Sequence, residues 1–226
     1  MADPLTIDIF SDVMCPWCVI GYKQLQQALA TLEGEVTAEV RWHAFELNPD
    51  MPPEGEELAA HMLRKYGRTP DAASTAQMLG IAEQAGYDMR YLGPQPEPER
   101  RLWNTFLAHK LLRWALVTSG PEAQTRLKLA LFDANFQQRH DVSDRGVLLD
   151  LVAQVGLDRA AAEVALDDPA LTQAVREEQQ EAREAEINAV PAVIVNGRYL
   201  IPGAQGAETY ANLLRKVVAQ SGSDQA

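Results

Sequence analysis

The two cysteines of the 226-residue chain lie three positions apart, in the segment Cys15-Pro16-Trp17-Cys18. The thiolate is the reactive form of cysteine, and two thiols at this spacing can close a disulfide with each other. The pair therefore predicts thiol–disulfide exchange. A substrate disulfide would be attacked by Cys15 to give a mixed disulfide, which Cys18 would resolve. In the reverse direction, a substrate thiolate would attack the oxidised pair at Cys15.

Two other interpretations of the cysteine pair need weighing. The pair could be half of a zinc site, because zinc in proteins takes four ligands from cysteine, histidine and carboxylates. The four histidines are scattered along the chain without paired spacing: His43, His61, His109 and His140. The cysteines could also be inert core residues. Both alternatives are less favoured than redox chemistry, and no metal site is predicted.

The elements around the cysteines predict how they are positioned. Alternating apolar residues from Leu5 to Phe10 indicate a strand, the pattern over 19–32 is helical, and alternation over 36–44 indicates a second strand. Cys15 then lies where a strand ends and a helix begins, and Pro16 fits the first helical turn. We expect the partial positive charge there to stabilise an exposed Cys15 thiolate. Cys18, on the same helix face, is expected to be more buried and less acidic.

The rest of the chain predicts a helical block followed by a return to strands. An Asn196-Gly197 turn between apolar runs, over 192–195 and 199–201, indicates a hairpin, and a last helix is expected over 207–219. Helices are predicted over 56–66, 71–85, 97–118, 121–139, 144–155, 158–166 and 169–187. The βαβ…ββα order predicts an α/β, thioredoxin-like fold with a four-stranded mixed sheet. Residues 1–50 and 188–220 would form this discontinuous domain, 51–187 an inserted all-helical domain, and 221–226 a flexible tail.

Composition limits the partners. The formal net charge of −12 argues against nucleic acid and against an anionic membrane surface as ligands. No stretch approaches the roughly 20 apolar residues that span a bilayer. The first ten residues contain Asp3 and Asp8 and lack the basic start and long apolar run of a signal peptide. We therefore expect a cytoplasmic protein, in a compartment where structural disulfides are rare.

Several segments together resemble a known family. They are Ile-Phe-Ser-Asp-Val-Met before Cys-Pro-Trp-Cys, Phe-Glu-Leu-Asn-Pro-Asp-Met over 45–51, Asn104-Thr105, Leu107-Ala108-His109, Val190-Pro191 and Gly203-Ala204-Gln205. From about Leu5 to Val218 the chain resembles the FrnE-like branch of the DsbA family, often called polyketide-biosynthesis dithiol–disulfide isomerases. The resemblance implies oxidation, reduction or isomerisation of disulfides. It also implies a cis Pro191 beside the cysteines, with Val190 offering its backbone to a substrate peptide.

One departure separates this chain from a related branch. In the kappa glutathione transferases and hydroxychromene-carboxylate isomerases, a serine that activates glutathione stands at the position of Cys15. A glutathione-dependent transferase or isomerase is therefore the alternative function, and a client-binding protein without redox activity is a third. We expect no tightly bound cofactor, with glutathione a candidate co-substrate. We expect its substrates to be thiol- or disulfide-containing proteins or small thiols. Because the chain lacks a second cysteine pair, an external redox partner is also required.

Three further residues have two interpretations each. Trp17 is expected to form an exposed apolar rim for substrate, or to pack against the helical insert. Asn48, placed at the end of the second strand, either helps to bind substrate or is a turn residue before Pro49. Gln205 precedes the last helix, whose N-terminus could bind a carboxylate of glutathione, or it is a plain helix cap.

Overall fold

The computed structural model describes residues 4–223, and the side chains of residues 4–220. In chain order the elements are β1 (Leu5–Ser11), α1 (Pro16–Thr31), β2 (Ala38–Ala44), β3 (Glu56–Glu57), α2 (Leu58–Tyr66), α3 (Ala72–Gln84), β4 (Arg101–Leu102), α4 (Phe106–Phe136), α5 (Arg145–Gln154), α6 (Arg159–Asp167), α7 (Pro169–Glu184), β5 (Ala192–Val195), β6 (Tyr199–Pro202) and α8 (Ala207–Ser223).

Four strands from the two ends of the chain form the main sheet, in the order β2-β1-β5-β6. Strand β1 pairs with β2 in parallel, and β5 pairs antiparallel with both β1 and β6. This sheet and the helices between β2 and β5 confirm the predicted thioredoxin-like fold with a helical insert. Alternate residues of β1, namely Leu5, Ile7 and Ile9, are buried in the core that α1 and α8 cover.

Most predicted elements lie within a few residues of the observed ones, and two predictions were wrong. The helix predicted over 97–118 begins only at Phe106. The preceding residues Arg101–Leu102 instead pair antiparallel with Glu56–Glu57, where the start of another helix was predicted. The helices predicted on either side of Gly120 are one element, α4, interrupted by the non-helical φ of 82° at this glycine. The insert was predicted to be all-helical, so these two short strands correct that prediction. The strands depend on each other, so local patterns could not reveal them.

The end of the chain matches its prediction only in part. Helix α8 continues to Ser223, and residues 224–226 of the predicted flexible tail lie outside the described residues. The starting residues Met1–Asp3 are likewise outside them. Within residues 4–223, no helix has the length and apolarity that crossing a membrane requires.

Helix α4 covers one of the two edges of the sheet, the edge formed by β2. Strand β2 has a strand neighbour on one side only, so one row of its backbone groups needs other partners. The fully buried side chain of Gln124 supplies two of them. Its Oε1 accepts from the Trp42 N–H at 2.9 Å, and its Nε2 donates to the Trp42 carbonyl at 2.7 Å. The side-chain amide thus takes the hydrogen-bonding position of a fifth strand.

We expect Gln124→Ala to lower the free energy of unfolding by about 3 kcal/mol, because it leaves a buried N–H and a buried C=O without partners. Urea unfolding monitored by circular dichroism measures this change. Gln173→Ala is the matched control. The Gln173 side chain donates only to Glu177 on an exposed helix surface. This control should change stability by less than about 0.5 kcal/mol. Equal effects of the two substitutions would contradict the proposed importance of the edge contact.

A histidine joins the same strand to helix α7. His43 Nδ1 lies 2.7 Å from Glu178 Oε1, and its Nε2 lies 2.8 Å from Asp8 Oδ1. Burial alone would lower the pKa of His43, but the hydrogen bonds that it donates to these two carboxylates raise the pKa to about 9. A protonated imidazole donates to both at once, and therefore holds the insert against the sheet.

The raised pKa predicts how stability changes with pH. Because the folded-state pKa of His43 exceeds the unfolded value of about 6.5, its contribution is complete below pH 6.5. It is lost as pH rises through about 9. The stability difference between wild type and His43→Gln should therefore shrink from pH 6 to pH 10, by on the order of 3 kcal/mol. Urea unfolding of both proteins at the two pH values measures it, and an unchanged difference would contradict the assignment.

Candidate active site

The cysteine pair occupies the first turn of α1. Cys15 is the N-cap residue with extended backbone angles, and Pro16 occupies the first helical turn, as predicted. The two cysteines approach each other to 3.4 Å, and both are free thiols. The turn is held by the Cys15 N–H, which donates to the Asp12 carbonyl at 3.2 Å. This arrangement lets the pair close a disulfide without moving the helix.

Burial of the pair differs from the prediction. Cys15 was expected to be exposed, yet only 4% of its surface is accessible, so that prediction was wrong. The segment before β5 covers it, and its Sγ lies 3.7 Å from the carbonyl oxygen of Val190. Cys18 is fully buried, which confirms that it is the more buried of the two. What remains accessible of Cys15 faces a cleft that Cys18 does not line.

The surroundings shift the pKa values of the two thiols in opposite directions. The hydrogen bond to Cys18, together with burial, raises the pKa of Cys15 well above its ordinary value. Burial alone would raise the pKa of Cys18 too, but the hydrogen bond from Cys15 and the charge of Lys128 bring it below its ordinary value. Because the two thiols share one hydrogen bond, these shifts belong to the pair, and the prediction that Cys18 is the less acidic thiol stays a prediction. The argument from the helix N-terminus could not include a lysine 110 positions away along the chain from Cys18.

Lys128 of α4 is the unexpected member of this site. It is fully buried, and none of the ion pairs within 4.0 Å among the described residues involves it. Its Nζ donates to the Ser11 carbonyl at 3.4 Å and lies over the rings of Trp42 and Phe132, at 5.2 and 5.0 Å from their centres. Burial lowers the pKa of Lys128 to about 8, although the nearby thiols and Asp12 oppose this.

Asp12 lies close to the cysteine pair, and His109 lies close to Asp12. Asp12 is buried and its carboxylate accepts the N–H of Leu47 at 2.7 Å and that of Met14 at 3.2 Å. Burial raises the pKa of Asp12 despite these bonds. His109 Nε2 lies 3.9 Å from Asp12 Oδ1 and has no hydrogen-bond partner among the described residues. Burial and the charge of Lys128 lower the pKa of His109 well below its ordinary value, so this imidazole is neutral.

The cleft beside Cys15 has a volume of about 540 Å³ and lies between the thioredoxin-like core and the insert. Trp17, Val190 and Asn48 line it, as expected for residues near a substrate. Trp17 is 41% exposed, which agrees with the prediction that its side chain is accessible. Apolar and aromatic side chains of the insert make up much of the opposite wall, including Met62, Tyr66, Met78 and Trp103.

The other residues predicted to bind substrate do not all line the cleft. The Val190–Pro191 peptide bond is cis. Asn48 follows β2 by several residues instead of ending it, and its Oδ1 accepts from Lys65 Nζ at 2.7 Å. Gln205 does not line the cleft, and its amide donates to the Pro202 carbonyl at 2.6 Å. Among residues 4–223, no group of three or more histidine, cysteine or acidic residues is placed to hold a metal ion.

Sequence reasoning missed Asp12 and Lys128, although each leaves a signal. Asp12 stands three residues before Cys15, in the loop that presents the cysteines. Lys128 lies on a helix one turn from Gln124 and one turn from Phe132, and both of these neighbours are buried. A lysine on such a face is rare, because burying an unpaired charge is costly. That mismatch could have marked it as a functional candidate.

Comparison with known proteins places this geometry in a family. The chain is 29% identical over 206 residues to the uncharacterized protein YwbO of Bacillus subtilis, covering 90% of this chain and 92% of YwbO. A probable DsbA oxidoreductase from Streptomyces coelicolor has a similar structure, with a TM-score of 0.82 and 26% identity over 95% of this chain and 90% of that one.

A third similarity shows the fold alone. The cytosolic disulfide reductase DsbM from Pseudomonas aeruginosa, in a structure with GSH, gives a TM-score of 0.63 at 17% identity, covering 95% of this chain and 99% of that one. The DSBA-like thioredoxin domain itself matches residues 6–215, nearly the whole chain. With its cysteine pair on the first turn of α1 and its helical insert, the protein belongs to the DSBA-like thioredoxin domain family.

Proposed function

We propose that the protein is a dithiol–disulfide oxidoreductase in which Cys15 exchanges with substrate and Cys18 resolves the mixed disulfide. The observation that carries this proposal is the unequal access of two sulfurs on one helical turn. Cys15 lines the cleft, whereas Cys18 is fully buried at 3.4 Å from it. A substrate disulfide can therefore reach only the first cysteine, and the second is in place to close the internal disulfide.

The buried charges support the first step. Attack requires a thiolate, and Lys128 supplies the positive charge that offsets one on the cysteine pair. The two thiols share one proton through their hydrogen bond, so the negative charge belongs to the pair. Transfer of this proton to Cys18 converts Cys15 into the nucleophile. The pair thus reacts as one acid with two sulfurs, which is typical of strongly coupled titrating groups.

The substrate-side contacts form the second part of the proposal. Val190 presents its carbonyl beside Cys15, and Trp17 and Pro16 border the same cleft. A substrate segment bound along Val190 would place its sulfur in line with Cys15 by backbone pairing. Asn48 would contact the substrate from the other wall. Gln205 would act at a distance from the cleft, through the loop before α8.

We further propose that the protein works in the cytoplasm with an external thiol partner. The chain has no second cysteine pair to restore its active state, so each turnover needs electrons from, or delivers them to, another molecule. The similarity to a cytosolic disulfide reductase whose structure contains GSH supports glutathione as one such co-substrate. The FrnE-like branch remains the family subdivision that we propose for this chain.

A redox titration tests the proposal. The protein is equilibrated in glutathione buffers of graded potential, and free thiols are trapped and counted by mass spectrometry. We expect one two-electron transition between a dithiol and an internal Cys15–Cys18 disulfide. A midpoint between about −120 and −200 mV would indicate an oxidant or isomerase, and one near −270 mV a reductase. If no internal disulfide forms at any potential, the proposal is wrong, and the glutathione-dependent transferase or isomerase becomes the better candidate.

A further inference from the structure

The charge of the redox cleft is opposite to that of the whole protein. The chain has a formal net charge of −12. Among the described residues that line the cleft there are nevertheless four arginines and a single carboxylate: Arg68, Arg100, Arg101, Arg139 and Asp71. Asp71 is also the N-cap of α3, where its carboxylate accepts the Ser74 N–H at 2.7 Å and faces the positive end of the helix. The cleft therefore presents an excess of positive charge to anything that approaches Cys15.

Two of these arginines are already engaged. Arg139 pairs with Glu97 at 2.8 Å and also donates to a backbone carbonyl. Arg101 pairs with Glu99 at 3.3 Å, donates to the carbonyls of residues 54 and 55, and lies over the Trp103 ring. Their guanidinium groups have protein partners, so a ligand would have to share or displace them.

Arg68 and Arg100 are different, because neither guanidinium has a hydrogen bond or ion pair among the described residues. Arg68 is exposed, whereas the side chain of Arg100 is partly buried. Burial together with the charge of Arg139 lowers the pKa of Arg100, and the carboxylate of Glu97 opposes this shift only in part. A half-buried guanidinium has five donors to satisfy and is costly without an acceptor. A carboxylate that enters the cleft would provide the acceptor in the paired geometry that arginine favours. An arginine with free donors in the cleft that Cys15 also lines is thus placed to bind substrate.

We propose that the preferred substrates of the cleft are small disulfides that bear a carboxylate, and that Arg100 binds this carboxylate. The inference rests on the proposed redox function of the same site. A volume of about 540 Å³ suits a small molecule. The apolar wall accepts the body of such a molecule, and the arginine fixes its orientation with one sulfur at Cys15.

The reaction of the reduced protein with such a disulfide balances without a further reagent. The Cys15 thiolate attacks one substrate sulfur, the substrate S–S bond breaks, and the first substrate thiolate leaves. The Cys18 thiolate then attacks Cys15, and the second substrate thiolate leaves. The protein is oxidised by two electrons, the substrate is reduced to two thiols, and the protons of the dithiol pass to the two thiolates or to water.

Stopped-flow oxidation of the reduced, full-length protein by two aromatic disulfides tests the inference. One is the dianion 5,5′-dithiobis(2-nitrobenzoate), and the other is the neutral 4,4′-dithiodipyridine. Each rate constant is divided by the rate constant of the same disulfide with dithiothreitol, which corrects for intrinsic reactivity. We expect the wild type to prefer the dianion by about tenfold or more at low salt, and the preference to fall as salt is added.

The role of Arg100 is tested with three variants. Arg100→Gln should remove most of the preference by slowing reaction with the dianion about tenfold, while reaction with the neutral disulfide changes less than about twofold. Arg100→Lys should restore part of the preference for the dianion. Arg159→Gln removes an exposed arginine on α6 that pairs with Asp150, and should leave both rates unchanged.

The possible failures are distinguishable. A wild type that reacts equally well with both disulfides, after correction, overturns the preference for carboxylates. A preference that survives in Arg100→Gln overturns the assignment of this residue. Failure of the reduced protein to react with either disulfide would instead count against the redox function itself.

Discussion

Replacing Cys18 with alanine is expected to trap the protein as a mixed disulfide on Cys15. The variant keeps the sulfur that lines the cleft but loses the only sulfur that can resolve the adduct. Incubation with glutathione disulfide should therefore add one glutathione per chain, visible by intact-mass spectrometry. Turnover should fall to the uncatalysed level. The wild type under the same conditions should instead form the internal disulfide and carry no adduct.

Cys15→Ala is the matched variant, and the same treatment should give no adduct. Its remaining thiol is fully buried and can react only when the structure opens locally. We expect Cys18 in this variant to be alkylated by iodoacetamide about 100-fold more slowly than Cys15 in Cys18→Ala, which corresponds to an opening cost of about 3 kcal/mol. Comparable alkylation rates, or a stable adduct on Cys18, would reverse the roles that we assign to the two cysteines.

Lys128→Met is expected to slow thiol–disulfide exchange and to stabilise the fold at the same time. Removing the ammonium takes away the charge that lowers the pKa of Cys18. We expect the first ionisation of the pair to move up by at least about one pH unit, so that reaction with disulfides at pH 7 slows roughly tenfold or more. Thiolate absorbance at 240 nm, measured against pH, reports the ionisation directly.

The stability change has the opposite sign because the lysine is buried and has no ion pair within 4.0 Å among the residues that the structure describes. The pKa of Lys128 is about 8 in the folded protein, against 10.5 for an ordinary lysine. This difference corresponds to a cost on the order of 3 kcal/mol for keeping the group charged at neutral pH. Methionine of similar length removes that cost. Urea unfolding should therefore show a more stable variant, and a loss of stability would contradict our account of the site.

A second buried lysine on the same helix gives the control. Lys110 donates to the carbonyls of Leu166 and Asp168 and to the Thr172 hydroxyl, at 2.7, 3.1 and 2.7 Å. Lys110→Met should destabilise the protein, because it leaves these acceptors without a donor. It should leave the thiolate titration unchanged. If both lysine variants shift the titration alike, the effect of Lys128→Met would be a general disturbance of the helix.

Local signals explain which parts of the fold were predictable. The β-hairpin was found because Asn196-Gly197 specifies its own turn, and β1 and β2 because their alternation is visible within a few residues. The N-terminal end of α4 was not found, because the residues before Phe106 pair with a segment more than 40 positions earlier. Such pairing depends on the whole chain, and a helical period in the sequence does not reveal it.

The candidate active site likewise has features that local sequence predicts and features that depend on distant residues. The position of Cys15 on the first turn of α1, and the greater burial of Cys18, follow from a few neighbouring residues. The burial of Cys15 does not, since it depends on Val190, which lies 175 positions away. The ionisation of the pair depends on Lys128, which another helix brings to it. Sequence therefore predicted where the two sulfurs lie in the fold but not the charges around them.

The amide of Gln124 has a consequence for how this protein can change in evolution. Because a side chain of the insert completes the hydrogen bonding of β2, a chain without the insert would carry an open strand edge. Open edges recruit strands from other copies and lead to aggregation. The helical insert thus protects this edge of the sheet from pairing with other chains. A shortened descendant would need a substitute for this protection before it could gain a smaller or more open cleft.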